Sequence, residues 1–459
     1  MAAADGAAED RAAADRASED RTGEGSATSD PRPLAGIRIL SQAIVWAGPF
    51  GTLILSDLGA EVIEIESVQH FTPTRGNVRH IPPEQAQGSV GASFAARDVS
   101  EGFWNRRNSF NYAARGHKSI TLDLTREVGR ELFFELVRVS DAYLENNAAG
   151  VVDRLGVGWE AVSKANPRLV MASFPGFGVS GPYAHFKGYG ATMEAVAGHT
   201  LVRGYRGAEP SAVSPTFHGD PNAGAHAAFA LIAALIARER TGRGQFIEIS
   251  QAEAIAHHVS YGFMDYSLNQ RVQGSIGNRD PSMAPCGVFP CSGDDAWIAI
   301  AVPTDEAFAA LCRELGQPAL AADPRFADVV ARKRNEDALE ELVAAATAPH
   351  APPALMARLQ AVGIAAAIVY HQPDMFDDPH LQARGFFREI GHPSIGPYRY
   401  PGELAKLERG PADLETPAPT LGQHNAEILR GLLGVDEARY QQLIDDEVIG
   451  TAYLESARG

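Results

Sequence analysis

The stretch from Leu34 to Glu66, "LAGIRILSQAIVWAGPFGTLILSDLGAEVIEIE", decides the fold. Its opening "LAGIRIL" reads as a buried strand. Residues 48–60 carry apolar side chains at helical spacing and close near Gly59, and "EVIEIE" at 61–66 alternates as a strand does. Strand, helix and strand in that order form a βαβ unit. The alternation returns in "SITLDL" (119–124), the helical "EVGRELFFELVRVS" (127–140), "AYLEN" (142–146), "WEAVSKAN" (159–166) and "RLVMASF" (168–174). Strands alternating with helices predict a mainly parallel sheet covered on both faces.

Beyond this run, "GQFIEIS" is a further strand leading into a long helix, and 270–285 turns to glycine, proline and polar residues, as a loop between domains would. "WIAIAV" (297–302), helical patterns at 304–315 and 335–361, and "GIAAAIVY" (363–370) predict a smaller α/β domain, and "LGQHNAEILRGLLG" (421–434) one more helix. The expected organisation is an acidic tail over 1–30, a large domain from 31 to 255, a linking helix and loop over 256–284, a small domain over 285–385, and 386–459 beyond it.

With 459 residues, 45% of them hydrophobic and 21% charged, the chain can bury two cores. Its net charge of −17 disfavours nucleic acid or an anionic membrane as partner, so an anionic ligand needs a local basic pocket. Cys286, Cys291 and Cys312 form no paired framework and no metal pattern, which suits a reducing cytoplasm. The alanine-rich, acidic residues 1–30 lack the apolar centre of a signal peptide and read as a solvated tail. The apolar run "AAFALIAALIA" is too short to span a bilayer and reads as a buried helix.

Two motifs mislead. Gly176, Gly178 and Gly181 have GxGxxG spacing after a strand, but Pro182 and a further loop follow where a dinucleotide-binding helix should open. His257 and His258 are adjacent on a helix, so their side chains diverge and share no metal; none is expected in the chain.

The residue that stands out is Asp220, a carboxylate in "SPTFHGDPNAGAHAAFALIAALIARERTGRGQFIEIS" (214–250), ahead of a long apolar helix. Followed by Pro221, it reads as an N-cap with proline at the first helical position. A carboxylate there is held ionised by the helix N-terminus, the form a nucleophile requires.

From about Leu34 to Ala254, and more loosely to the end, the chain resembles the class III CoA-transferases, the family of formyl-CoA and carnitine CoA-transferases. The resemblance rests on "LAGIRIL", "AGPFGTLILSDLGAEVIEIES", "HKSITLDL", "ENNAAGVVDRLGVGWEAVSKANPRLVMASFPGFGVSGPY" and "GDPNAGAHAAFALIAALIARERTGRGQFIEIS", long motifs in the family's order. It implies a Rossmann-like large domain built from both ends of the chain, to which 386–459 returns, a smaller α/β domain, and two chains interlocked as a dimer. It also implies a reaction that moves CoA from an acyl-CoA to a free carboxylic acid, with Asp220 as catalytic nucleophile forming aspartyl anhydride and aspartyl-CoA thioester intermediates. It places Trp46, Ala47, Asn146, Arg154, Lys187 and Tyr189 along the coenzyme A site, and the basic "RGHKS" with His117 and Lys118 near its phosphates. The loop "GSIGNRD" (274–280) falls where the family has a glycine-rich cover. Trp46 in place of a glutamine of formyl-CoA transferase, and Asn147 in place of an aromatic residue, point away from oxalate or formate and towards a bulkier acid, with succinyl-CoA as a donor.

Two alternatives stand beside this. An acyl-CoA racemase of the same family needs an acid and a base on opposite sides of the substrate, and the matching places hold Glu160 and Gly190. A non-catalytic subunit of a heteromeric enzyme would not need Asp220, Lys187 and Tyr189 together.

Overall fold

The structure is a computed structural model that describes residues 30–76, 81–412 and 414–458. The expected acidic tail lies outside the described residues apart from Asp30.

Six parallel strands form the main sheet: β1 (Arg38–Gln42), β2 (Glu61–Glu66), β3 (Lys118–Thr121), β4 (Ala142–Glu145), β5 (Val170–Ser173) and β6 (Phe246–Glu248), in the order β3-β2-β1-β4-β5-β6. β4 and β5 are buried at every position, which explains their near-continuous apolar sequence. Helices α1 (Ala47–Asp57), α2 (Glu127–Arg138), α3 (Trp159–Ala165), α4 (Gly190–Val196), α5 (Gly219–Thr241), α6 (Gln251–His258) and α7 (Ser260–Asn269) follow in chain order. α2 and α3 pack on one face of the sheet with Leu132, Phe133 and Val162, and α1 and α5 on the other with Leu55, Ala227 and Leu231. The C-terminal segment joins the first of these cores through Ile428, Leu429 and Val448, and Asn425 Oδ1 accepts from the Thr121 amide at 2.9 Å. The helix expected over 421–434 is a π-helix confined to Ala426–Leu432.

A three-stranded antiparallel sheet, β7 (Cys286–Pro290), β8 (Trp297–Ala301) and β9 (Ala365–Ile368), has its own core with helices that include α8 (Glu336–Thr347). A hairpin of β10 (Phe387–His392) and β11 (Gly396–Pro401), absent from the sequence reading, follows it.

Two relationships position the site. The sheet order reverses direction of growth between β1 and β4, so the loops after their C-terminal ends diverge and leave a crevice, the place where open α/β sheets bind ligands. α5 also crosses α1 with backbones in contact. A Cβ on Gly224 would stand 2.3 Å from the Ala47 carbonyl oxygen, and one on Gly51 2.9 Å from that of Gly224. Only glycines allow this approach, and it brings the start of α5 to the loop after β1.

Candidate active site

A cleft of about 240 Å³ opens at that crevice. Ile44, Val45 and Ala47 come from the loop after β1, Asn146, Ala148 and Ala149 from the loop after β4, Lys187, Tyr189 and Gly190 from the start of α4, and Asp220 from α5. Two walls carry backbone strain. Val45, β-branched, has φ 63°, and Phe217, three residues before Asp220, has φ 52°. Val45 is held there by its amide donating to Thr74 Oγ1 at 3.1 Å.

Asp220 does not cap α5. The helix starts at Gly219 with His218 ahead of it, and the Asp220 side chain makes no cap bond. The carboxyl is 7% exposed and accepts no hydrogen bond among the described residues. Burial, and then the charge of Glu194, push it up from its ordinary 3.8 to about 6, so desolvation and a like charge outweigh the helix N-terminus. The expectation of a carboxyl stabilised as an anion is thereby corrected. Above about pH 6 it is an anion without donors to satisfy it, which makes it a reactive one.

The structure gathers some of the sequence-predicted residues and disperses others. Ala47, Asn146, Lys187 and Tyr189 line the cleft with Asp220. Asn146 is committed: Oδ1 accepts from the Ile44 amide at 2.7 Å and Nδ2 donates to the Ile44 carbonyl at 3.0 Å, which clamps the β1 loop against β4. Lys187 is exposed and forms no ion pair among the described residues, leaving a free cation on the cleft wall. Trp46 is half-buried at the N-cap of α1, beside the lining rather than in it. Arg154 is exposed on the short helix Val151–Arg154 after β4, outside the cleft.

His117 and Lys118 are elsewhere. They lie at the N-terminal end of β3, an outer strand, whereas the cleft lies at the C-terminal ends. Lys118 Nζ pairs with Glu61 (2.7 Å) and Glu427 (2.6 Å), and buried His117 with Glu64 (2.9 Å). Arg115 is buried against Asp57 at 2.7 Å. Lys118 and Arg115 are thus paired with internal carboxylates, and neither they nor His117 lines the cleft. Nor does the loop 274–280 line the cleft. The Gly277 amide bonds the Gly204 carbonyl, and Arg279 reaches Glu340 and Asp337, the latter at 2.5 Å, on α8. Gly178 and Gly181 take positive φ in a loop, with the next helix only at Gly190, so the glycine spacing there opens no phosphate-binding helix. Among the described residues no group of His, Cys, Asp and Glu is placed to hold a metal.

Sequence reasoning missed Glu194. It is 0% exposed, with Oε1 accepting from Thr216 Oγ1 and the His218 amide, both at 2.9 Å, and Oε2 from Arg203 Nη2 at 3.0 Å. Its only sequence signal was a place one helical turn after Gly190.

The family model for CoA-transferase family III matches residues 34–425. The chain belongs to that family. A succinyl-CoA–D-citramalate CoA-transferase of Chloroflexus aurantiacus is 32% identical over 412 residues, 90% of this chain and 97% of that protein. An acetyl-CoA:oxalate CoA-transferase of Acetobacter aceti is 35% identical over 308 residues, 67% of this chain and 73% of that one. The crystal structure of a CAIB/BAIF family protein from Brucella suis superposes with a TM-score of 0.76 at 30% identity, covering 88% of this chain and 100% of that one. The six-stranded parallel sheet and its covering helices are thus the family's fold, and the chain is a family III CoA-transferase by sequence and by structure.

Proposed function

We propose that this family III enzyme moves CoA from an acyl-CoA to a free carboxylic acid through covalent intermediates on Asp220. The observation that carries the reading is a buried carboxyl, without hydrogen-bond donors among the described residues, on the wall of the cleft at the β1/β4 crevice. An Asp220 oxygen attacks the thioester carbonyl, the C–S bond breaks, and CoA leaves as thiolate from an aspartyl-acyl anhydride. The thiolate then attacks the aspartyl carbonyl and expels the donor acid as carboxylate, which leaves an aspartyl-CoA thioester. The acceptor carboxylate displaces thiolate from that thioester, and the thiolate attacks the acceptor's carbonyl in the new anhydride, which releases the product acyl-CoA and regenerates the Asp220 carboxylate.

Lys187 supplies a cation for the coenzyme, and Ala47 and Tyr189 face its thioester end in this reading. A second cavity of about 270 Å³, lined in part by His70, Thr72, Thr74 and Asn147, adjoins the cleft at Ile44 and offers room for the nucleotide half. The name of the Chloroflexus relative makes succinyl-CoA the first donor to try. Racemisation is disfavoured by position as well as by type. Glu160 is on the surface, paired with Lys164, and Gly190 has no side chain to move a proton.

We also propose a dimer. Phe229 (75% exposed) and Ile236 on α5, with Tyr261, Met264 and Leu268 on α7, present apolar faces at helical spacing to solvent. Light scattering should show twice the chain mass; a monomer that turns over would refute this part, and activity only on adding a related subunit would point to a heteromer. For the chemistry, the protein is incubated with succinyl-CoA, trapped with hydroxylamine or borohydride, and mapped by mass spectrometry. Modification is expected at Asp220 and should vanish in Asp220→Ala. Solvent deuterium at the α-carbon without trapping would favour the racemase.

A further inference from the structure

α4 brings a second carboxylate to the nucleophile. Gly190 at its start has no side chain, and a Cβ there would stand 3.2 Å from Asp220 Oδ1. One turn later Glu194 is fully buried, and it grips the segment that leads into α5 by accepting from Thr216 Oγ1 and from the His218 amide. Arg203, on the segment after α4, neutralises part of its charge from the other side at 3.0 Å. Lys187 and Tyr189 share the cleft with Asp220, while His199 and Arg203 after α4 and the His218 amide ahead of α5 face Glu194. His257 and His258 end α6, with the His258 ring 5.1 Å from that of His218.

We infer that Glu194 is a positioning residue whose negative charge repels the ionised Asp220 but not the neutral aspartyl-CoA thioester that remains once the donor carboxylate has departed, and so favours the covalently loaded enzyme. The physical basis is linkage. A like charge nearby destabilises the anion, so its conversion to the neutral aspartyl-CoA thioester, with the negative charge carried off on the departing donor carboxylate, is favoured as protonation is. Asp220 is raised accordingly, after burial, by the Glu194 charge. Arg203 moderates the effect, since removing it would leave the Glu194 charge unopposed. The inference rests on Asp220 being the nucleophile.

The test follows protonation of Asp220 by the pH dependence of its labelling with a water-soluble carbodiimide, which reacts with the protonated carboxyl. It separately measures the fraction of enzyme trapped as the CoA adduct at fixed succinyl-CoA. Glu194→Gln should lower the labelling midpoint by about half to one pH unit and the trapped adduct roughly three- to ten-fold. Arg203→Gln should raise the midpoint. Thr216→Val, which removes one grip on the loop and no charge, should slow turnover without moving the midpoint. Opposite shifts in the two charge variants support the inference; an unmoved midpoint in Glu194→Gln, or shifts of the same sign, overturns it. Should Glu194→Gln not fold, Arg203→Gln decides alone, and an unchanged or lowered midpoint counts against Glu194. If the wild-type protein titrates as described but never carries CoA on Asp220, the nucleophile reading fails instead, and the two failures are told apart.

Discussion

Gly190 faces Asp220 so closely that a Cβ at position 190 would begin 3.2 Å from Asp220 Oδ1 and 3.0 Å from Phe217 Cδ1. The absent side chain leaves the carboxyl room to turn, and it leaves position 190 itself without an acid or base.

Gly190→Ala therefore separates folding from chemistry. Position 190 begins a helix with an ordinary backbone, where alanine is favoured over glycine by up to about 1 kcal/mol. The melting temperature should hold or rise slightly, while kcat/KM should fall on the order of 10- to 100-fold because the carboxyl is pushed off its line of attack. Thermal melts and steady-state kinetics on the same preparation check both; unchanged kinetics would show that Asp220 works in another orientation.

Asp220 itself should cost the protein stability. In the unfolded chain it titrates near 3.8 and in the folded protein near 6, so between those values the folded state binds more protons. Stability then declines as pH rises through that window, and the full cost remains above it. Asp220→Asn should unfold with about 1–3 kcal/mol more resistance at pH 7.5, and with no gain below pH 4. Urea titrations at the two pH values measure the difference. Wild-type activity should fall with an acid limb near pH 6, where the nucleophile becomes protonated.

Gly224→Ala tests the crossing that carries Asp220 to the cleft. Its Cβ would stand 2.3 Å from the Ala47 carbonyl oxygen, and backbone cannot rotate away as a side chain can. Separating α1 from α5 should cost about 1–3 kcal/mol, with loss of turnover because the nucleophile sits one turn from the contact. Denaturant midpoints with an unchanged m-value, alongside kinetics, would establish it.

Much of the main sheet was legible in the sequence because each of its elements is local. "EVIEIE" alternates, "GPFGTLILSDLGA" has helical period, and strands buried on both faces read as apolar runs. Of the expected site residues, Asp220 stood out in its own segment, and Lys187 and Tyr189, placed by the family resemblance, line the same cleft. Glu194 was not legible, because its burial depends on Arg203 and Thr216 from later segments. His117 and Lys118 misled for the same reason: a local cluster of basic residues resembles a phosphate patch, and the partner that consumes part of it, Glu427, is 309 residues away. The β10/β11 hairpin lacked a clean two-residue alternation, with exposed Arg388 and Glu389 side by side.

Those two kinds of lysine can be set against each other. Lys187 is on the cleft wall and forms no ion pair among the described residues, so Lys187→Ala should raise the KM for acyl-CoA roughly ten-fold and flatten its dependence on salt, as expected for a lost contact to an anion. Lys118 is shared between Glu61 and Glu427 at the opposite end of the sheet, and Lys118→Ala should leave that KM unchanged while costing at most about 1 kcal/mol of stability. The contrast depends on the end of the sheet at which each lysine sits, since the family resemblance assigns both to the coenzyme. An equal rise in KM from both substitutions would mean that the coenzyme reaches around the β3 edge, and that the ion pairs of Lys118 open to receive it.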